Sequence, residues 1–411
     1  MPDNNILYIS YDGMLEPIAQ SQVIPYLKGL SKDKLRFFLL SFEKKALLRD
    51  KDHLRLMEER LRNAGIFWKR LVYHKKPQMI STLLDCIFGL IYAVFIVKKN
   101  RIRVVHARAE VSSLIGWLCA RLCGCKFIYD RRGVLAYDYV DGGMWPKESL
   151  ITKIMFKAVN YLDAKFLFGS DYTVVLTNKM ADILKSGIFV NKKHAPKIKV
   201  IPCCVDLDNF NRQTRNRRPE DFPPEGKSVM VYCGSIGTWY MLREMIEFFK
   251  VLKSVDPKAH FLIITPFERD LVINSMHDGF IKDTDFTVLS KKHYEMPAYL
   301  SWADAAIMFI KPVFSKLASC PTKFGEYLAC GLPVVINSGI GDTAGLIEEN
   351  KIGSVLKEFS SAEYRRAAEE LQYLINDAGL KNRCRNVAVT NLSLVNGIES
   401  YSHIYNTILN N

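Results

Sequence analysis

The sequence predicts an α/β protein built from two doubly wound domains, each a parallel sheet covered by helices. Three observations carry this. Short apolar runs of strand type alternate with helical patterns along most of the chain, and such alternation implies parallel strands buried on both faces. The alternation stops at residues 211–226, NRQTRNRRPEDFPPEG, which hold three prolines and no apolar periodicity, and then restarts. The chain has 411 residues, room for two domains of roughly 100–200 residues each.

The elements follow in order. NILYIS (5–10) reads as a buried strand, followed by the turn residues Asp12 and Gly13 and a helical pattern through Val23, Tyr26, Leu27 and Leu30. LRFFLLSF (35–42) is the next strand, residues 47–64 a charged helix and residues 79–97 an apolar one. VVHA (104–107), a helix from Val111 to Leu122, KFIYD (126–130), a helical region over 149–187 and the short strand KVIPC (199–203) complete the first half. After the linker come SVMVYCGS (228–235), a helix over 240–254, HFLIIT (260–265), a short helix around 267–276, FTVLS (286–290), a helix at 296–302, AAIMFI (305–310), a helix at 321–330 and PVVINS (333–338). Ligands of such sheets bind outside the carboxyl ends of the strands, so chemistry is expected in those loops.

Composition narrows the classes. With 49% hydrophobic and 24% charged residues, disorder, collagen and disulfide-scaffold classes are excluded. The formal charge of +14 is unevenly spread: residues 1–205 hold 34 Lys+Arg against 18 Asp+Glu, a net +16, and residues 206–411 hold 23 against 25, a net −2. A basic half suggests an anionic partner: a membrane surface, nucleic acid or a phosphorylated substrate. No motif supports nucleic acid. The ten cysteines lie mostly in apolar runs and read as reduced core thiols of a cytoplasmic protein. Cys119, Cys123 and Cys125 lack the paired spacing of a zinc site, and no metal is expected.

Residues 79–97, MISTLLDCIFGLIYAVFIV, are nearly all apolar and flanked by Lys75, Lys76, Lys98 and Lys99. A spanning helix needs about 20 such residues. Ser81, Asp85 and Gly89 nevertheless recur every four residues as a polar or small stripe, which is costly in lipid. A helix packed on the sheet, partly exposed as a membrane-contact face, is the expectation.

Residues 314–335, FSKLASCPTKFGEYLACGLPVV, form the most specific segment. They read as a loop, a short helix beginning near Pro321 and Thr322, a stop at Gly331 and a buried strand. Amides at a helix start attract anions, and Lys316 and Lys323 add positive charge. Glu326, one turn into the helix, is placed to accept hydrogen bonds from paired sugar hydroxyls, or else is a solvated surface residue.

This segment resembles the donor-site motif of family 4 retaining glycosyltransferases of the GT-B fold. Other segments are similar to that family in the same order: SYDGMLEPIAQSQVIPYLKGL, VVHAR, IPCCVDLDNF, VYCGSIGTWY and the terminal SLVNGIESYSHIYNTIL. The resemblance implies two Rossmann-like domains facing a central cleft, an acceptor domain over 1–205 and a nucleotide-sugar donor domain over 206–390, with a helix at 391–411 returning to the first. It implies transfer of a sugar from a nucleotide diphosphate to an acceptor hydroxyl, with retention and without metal or cofactor, the nucleotide-sugar being a co-substrate. Surface polysaccharide or glycolipid biosynthesis is the expected context. The acceptor class is then a glycan or a polyprenyl-phosphate-linked glycan, handled in the cytoplasm or at the inner face of an anionic membrane. An epimerase of the same architecture and a non-catalytic GT-B partner subunit stay open.

Carried over by position, Glu326 matches the second Glu of the family's Glu-x7-Glu pair and implies a ribose contact. Ala318 stands where the first belongs, which leaves the sugar contact unassigned. Ser319, Pro321, Thr322 and Lys323 occupy the phosphate loop, although Pro321 lacks the amide that the family's glycine supplies. Gly234 and Ser235 lie in the loop after the first strand of the second domain. Ser235 and Tyr240 stand where the family has an Arg and a Lys, and Lys316 or, less directly, Arg243 replaces that charge. Gly13 allows close approach of the donor, or is a simple turn glycine. His106 lines the cleft, or is a satisfied structural residue. Arg131 and Arg132 contact phosphate, or pair with Asp138 and Asp141. GIGDTAG (339–345) has the wrong spacing and place for a dinucleotide fingerprint, but puts Asp342 where it would meet a sugar hydroxyl.

Overall fold

The structure is a computed structural model that describes residues 4–33, 35–74, 76, 78–186, 196–212, 218–266 and 269–410. Lys75, the first two residues of the expected helix at 267–276 and residues 213–217 of the expected linker lie outside the described residues. The chain divides into two units, one of Met1–Pro202 with Leu394–Asn411, the other of Cys203–Ser393.

The first unit is a parallel sheet of β1 (Asn5–Ser10), β2 (Arg36–Lys44), β3 (Phe67–Tyr73), β4 (Val104–Arg108), β5 (Lys126–Asp130), β6 (Tyr172–Val175) and β7 (Ile198–Val200), in the order β3-β2-β1-β4-β5-β6-β7. All residues of β1 and β4 are buried, as strands covered on both faces require. One face carries the helices Gln78–Lys99, Ala109–Cys123 and Leu150–Gly169, which share a core with Leu7, Ile9, Phe42, Phe127 and Tyr129. The terminal helix Leu394–Asn410 belongs to this unit. It buries Tyr401, Ile404, Tyr405, Ile408 and Leu409 at helical spacing. Arg103 Nη2 donates to Leu409 O at 2.7 Å, and Gly29 leaves the space that Ile398 Cδ1 fills.

The apolar helix Gln78–Lys99 packs with its small and polar stripe inward. Asp85, 1% exposed, accepts from Tyr11 Oη at 2.9 Å and His74 N at 3.1 Å, and pairs with His74 Nδ1 at 2.6 Å. A Cβ on Gly89 would strike Ile115 and Phe42. Its exposed face is apolar.

The second unit is a parallel sheet of β8 (Ser228–Cys233), β9 (Ala259–Ile264), β10 (Phe286–Leu289), β11 (Ala305–Met308), β12 (Val334–Asn337) and β13 (Gly353–Leu356), ordered β10-β9-β8-β11-β12-β13. Both sheets thus reverse direction beside their first strand, at β1/β4 and at β8/β11, the arrangement that opens a crevice at the carboxyl edge. Val205 N donates to Leu392 O at 2.8 Å, joining the two ends of this unit.

Three strands, β3, β6 and β13, fall where no strand is expected. β3 is half-exposed and carries Lys69 and Arg70 in its middle, so it has no continuous apolar run. β6 is four residues long and lies inside the region read as helical. In β13, Gly353 has φ 155°, and a Cβ there would lie 2.0 Å from Val334 O. Gly353→Ala is therefore expected to lower the urea midpoint of unfolding, a loss of about 2 kcal/mol, measured by circular dichroism.

Candidate functional site

Three connections of the second unit meet at the carboxyl edge of its sheet. The one after β8 turns at Gly234, φ 135°, and runs back along the end of β11: Lys311 N donates to Trp239 O at 2.9 Å and Met241 N to Phe309 O at 3.0 Å. The one after β11 makes a tight turn, Phe314–Ala318, and enters the helix Thr322–Ala329. The one after β12 is tied to that turn by Gly341 N donating to Lys316 O at 2.9 Å. Gly234, Ser235, Lys316, Ser319, Pro321, Thr322, Lys323, Glu326 and Asp342 all lie on these connections or the helix they lead into.

Two lysines give the edge its character. Lys323, 8% exposed, has its Nζ 3.6 Å from the Tyr240 ring centroid and 4.7 Å from that of Tyr232, and donates to Tyr232 Oη at 3.3 Å. Lys316, equally buried, places its Nζ 3.5 Å from the Trp239 centroid. A ring face holds an ammonium through its quadrupole without cancelling the charge. Tyr240, which stands where the resemblance expects a lysine, is thus the ring on which Lys323 rests. A Cβ on Gly234 would lie 2.3 Å from Lys323 Nζ, so glycine is needed there twice, for its dihedral and for the lysine.

The helix Thr322–Ala329 begins after Pro321, and no side chain caps it, so its first amides and the two lysines make one positive edge. Within that helix Glu326 is nearly buried and accepts from, or pairs with, His293 Nε2 at 2.8 Å. Burial alone would lower the His293 pKa, but the hydrogen bond and charge of Glu326 outweigh it and raise it above the ordinary histidine value. Ser235 is exposed and its carbonyl accepts from Tyr232 Oη at 2.7 Å. Asp342 precedes the helix Thr343–Asn350. Ala318 is buried, and Arg243 is exposed on the helix after this loop.

An open cavity of about 600 Å³ lies elsewhere in this unit, lined by Arg218, Asp221, Lys291 and Tyr299 among others. It contains none of the expected residues, and its groups satisfy one another: Asp221 accepts from Tyr299 Oη at 2.6 Å and pairs with Lys291 at 2.7 Å.

The first unit corrects several expectations. At Gly13, the group a side chain would strike is the Glu43 carboxylate, 2.5 Å from a built Cβ. Glu43 is fully buried and accepts from Met14 N at 2.7 Å, Leu15 N at 3.2 Å and Ser41 Oγ at 2.6 Å, so the glycine is explained by the loop's own clamp. His106 is a buried structural residue rather than a surface ligand. Its Nδ1 lies 2.5 Å from Tyr405 Oη of the terminal helix and its Nε2 3.4 Å from Asp130, and burial lowers its pKa. Arg131 is spent in a fully buried fork on Asp163, Nε to Oδ1 at 3.1 Å and Nη2 to Oδ2 at 2.9 Å. Its partner is neither Asp138 nor Asp141. Arg132 points to the other face, 3.5 Å from Asp130 Oδ1, beside Arg108, which lies 3.7 Å from Asp130 Oδ2. Burial would raise the Asp130 pKa, but Arg132, His106 and Arg108 hold it down to about 2.

His293, Trp239, Glu43, Arg108 and Asp163 were not singled out in the sequence. The contacts separate the pair: Arg131 shares Asp163 with Tyr129, and Arg132 lies beside Asp130. Nothing in the sequence signals His293, which lies 33 residues from Glu326. Among the described residues no group of three or more His, Cys, Asp or Glu is placed to hold a metal ion.

Residues 213–389 match the family described as glycosyl transferases group 1. The group 1 segment covers the edge built by Lys316, Lys323 and Glu326. Solved structures with the same fold include a glycosyltransferase from Rickettsia africae ESF-5, with TM-score 0.73, 15% identity and full coverage of both chains. Sucrose-phosphate synthase from Thermosynechococcus elongatus aligns at TM-score 0.69 and 14% identity, over 98% of this chain and 99% of that one. HepE from Anabaena, solved with UDP, aligns at 0.68 and 13%, over 98% and 100%. The two-Rossmann architecture is the GT-B fold of these glycosyltransferases. None of the curated proteins compared matches the sequence.

The pair in the group 1 segment can be checked directly. His293 is expected to titrate above about 6.5, and in Glu326→Gln to fall back to or below it, as read from its ring resonance by NMR between pH 5 and 9.

Proposed function

We propose that the chain is a retaining, metal-independent glycosyltransferase that moves a sugar from a nucleotide-diphosphate donor to an acceptor hydroxyl. The observation that carries this is the pair of nearly buried ammonium groups of Lys316 and Lys323, held on ring faces beside an uncapped helix start at the carboxyl edge of the second sheet. Charge develops on the diphosphate as its bond to the sugar breaks, and preorganised cations and amides stabilise that charge at little reorganisation cost. The match of residues 213–389 to group 1 glycosyl transferases supports the reading, as does the presence of UDP-glucose in one solved form of HepE.

In this reading Lys316, Lys323 and the amides of Thr322 and Lys323 hold the diphosphate, with Ser235, Ser319 and the open backbone at Gly234 beside it. Glu326 accepts from the ribose hydroxyls, with His293 holding its carboxylate in place until the donor arrives. Asp342 takes a sugar hydroxyl, since Ala318 offers no carboxylate. In the first unit Arg132, with Arg108, is the candidate contact for an anionic acceptor. A front-face displacement needs no protein nucleophile, in keeping with retention. The nucleotide-sugar is a co-substrate, and no cofactor is invoked. Surface polysaccharide or glycolipid synthesis at the inner face of the cytoplasmic membrane is the setting that suits the +14 charge.

The test is a screen of UDP-, GDP- and CMP-linked sugars for thermal stabilisation and for hydrolysis by the purified protein. At least one is expected to stabilise it. Lys323→Met should weaken that donor by about 10- to 100-fold, and Glu326→Ala should abolish turnover with an unchanged circular dichroism spectrum. Near-normal turnover in Glu326→Ala would sink the assignment.

A further inference from the structure

The three helices on one face of the first sheet present an outer surface that no neighbouring element covers among the described residues. Along Gln78–Lys99 the exposed residues include Ile80, Leu83, Leu84, Ile87, Ile91 and Phe95, a continuous apolar stripe, with Ile91 and Phe95 each 59% exposed. Along Leu150–Gly169 a second stripe runs through Leu150, Ile151, Ile154, Tyr161 and Phe168. Ala109–Cys123 lies between them, and all three share one core against the same sheet face. Apolar patches of this extent on a soluble protein mark a contact surface.

The charge on these helices is one-sided. Their three acids, Asp85, Glu110 and Asp163, are all buried. Asp85 is bonded to Tyr11 and His74, Glu110 to Leu135 N and Asp163 to Arg131. Every exposed charge is positive: Lys98, Lys99, Arg121, Lys153, Lys157 and Lys165. Several of these cations lie over aromatic rings of the same surface, Lys99 over Phe95, Arg121 over Trp117 and Lys165 over Tyr161. An apolar face rimmed by long basic side chains that carry their charge outward is the pattern of a protein lying in a bilayer interface.

We infer that this three-helix face docks on anionic lipid, with the stripes of Gln78–Lys99 and Leu150–Gly169 entering the headgroup region and the six cations meeting acidic headgroups. Gln78–Lys99 is long and apolar enough to cross a membrane. Crossing would pull Cys86, Ala93, Ile96 and Val97 out of the core they share with the sheet and leave Asp85 in hydrocarbon, so the helix lies in the plane of the interface instead. A second copy is disfavoured as the occupant, because two such faces would set six cations against six. The inference names the partner of this surface and does not depend on glycosyl transfer.

The experiment is flotation of the full chain with vesicles of phosphatidylcholine alone or mixed with phosphatidylglycerol, without any nucleotide-sugar, so that its outcome is independent of donor chemistry. The protein should float with the anionic vesicles in low salt and be released in high salt. Ile87→Glu/Ile91→Glu and Lys98→Glu/Lys99→Glu should each cut the bound fraction by about tenfold or more, with unchanged circular dichroism and donor hydrolysis. Three outcomes overturn the inference: no flotation of the unaltered chain, flotation that neither double variant reduces, or a dimer in solution that Ile87→Glu/Ile91→Glu dissolves. Retention on the vesicles through alkaline carbonate would show a spanning helix and overturn the in-plane placement.

Discussion

Two parallel strands cannot be joined by a tight turn, so each must be followed by a crossover, usually a helix, before the next strand can pair. In both units of this chain that constraint sends the carboxyl ends of the strands to one edge, and the reversal of order beside β1 and β8 parts the loops there. The residues with chemical character collect at those edges. Lys316, Lys323 and Glu326 come after β11, Gly234 and Tyr240 after β8, Asp342 after β12, Arg108 at the end of β4 and Arg132 after β5.

Within the second unit the arrangement of positive charge is indirect. The position at which the resemblance to glycosyltransferases implies a lysine holds Tyr240, and the ammonium arrives from Lys323 on another element and rests on that ring. Trp239 does the same for Lys316. A lysine placed on an aromatic face loses rotamer freedom before any ligand binds and keeps its charge available. Glu326 is restrained in a comparable way by His293. The replacement of charged positions by Ser235 and Tyr240 therefore does not by itself argue for an inactive subunit.

The first unit shows the reverse of a familiar pattern in one helix. Gln78–Lys99 turns its polar and small stripe, Ser81, Asp85 and Gly89, toward the sheet together with Ile96 and Val97, and turns Ile80, Leu83, Ile87, Ile91 and Phe95 outward. The inward face is satisfied: Asp85 has its hydrogen bonds, and Gly89 lets Ile115 and Phe42 approach. Six cations of the basic first half share that outward surface, and the exposed charges of its three helices are all cationic.

The alternation of strands and helices and the distinctive segment at 314–335 were legible in the sequence, because each is written in local periodicity or in a contiguous motif, whereas the expected linker after residue 211 falls inside the second unit, which begins at Cys203. β3, β6 and β13 were not, since an edge strand with basic residues and strands of only four residues give no apolar signal apart from their neighbours. Chemistry-bearing residue types near strand ends could likewise be picked out, but not their duties. Arg131 and Arg132 are adjacent in sequence and face opposite sides of the sheet, one into Asp163 and one toward Asp130. His106 is covered by a helix about three hundred residues later, Gly13 is shaped by Glu43, and His293 meets Glu326 only across the fold. What the sequence determined by itself is what depends on spacing along the chain. What only the tertiary structure decided is which polar groups are consumed by burial and which are left facing a ligand, because an ionic group taken out of water must find its partner wherever the fold supplies one.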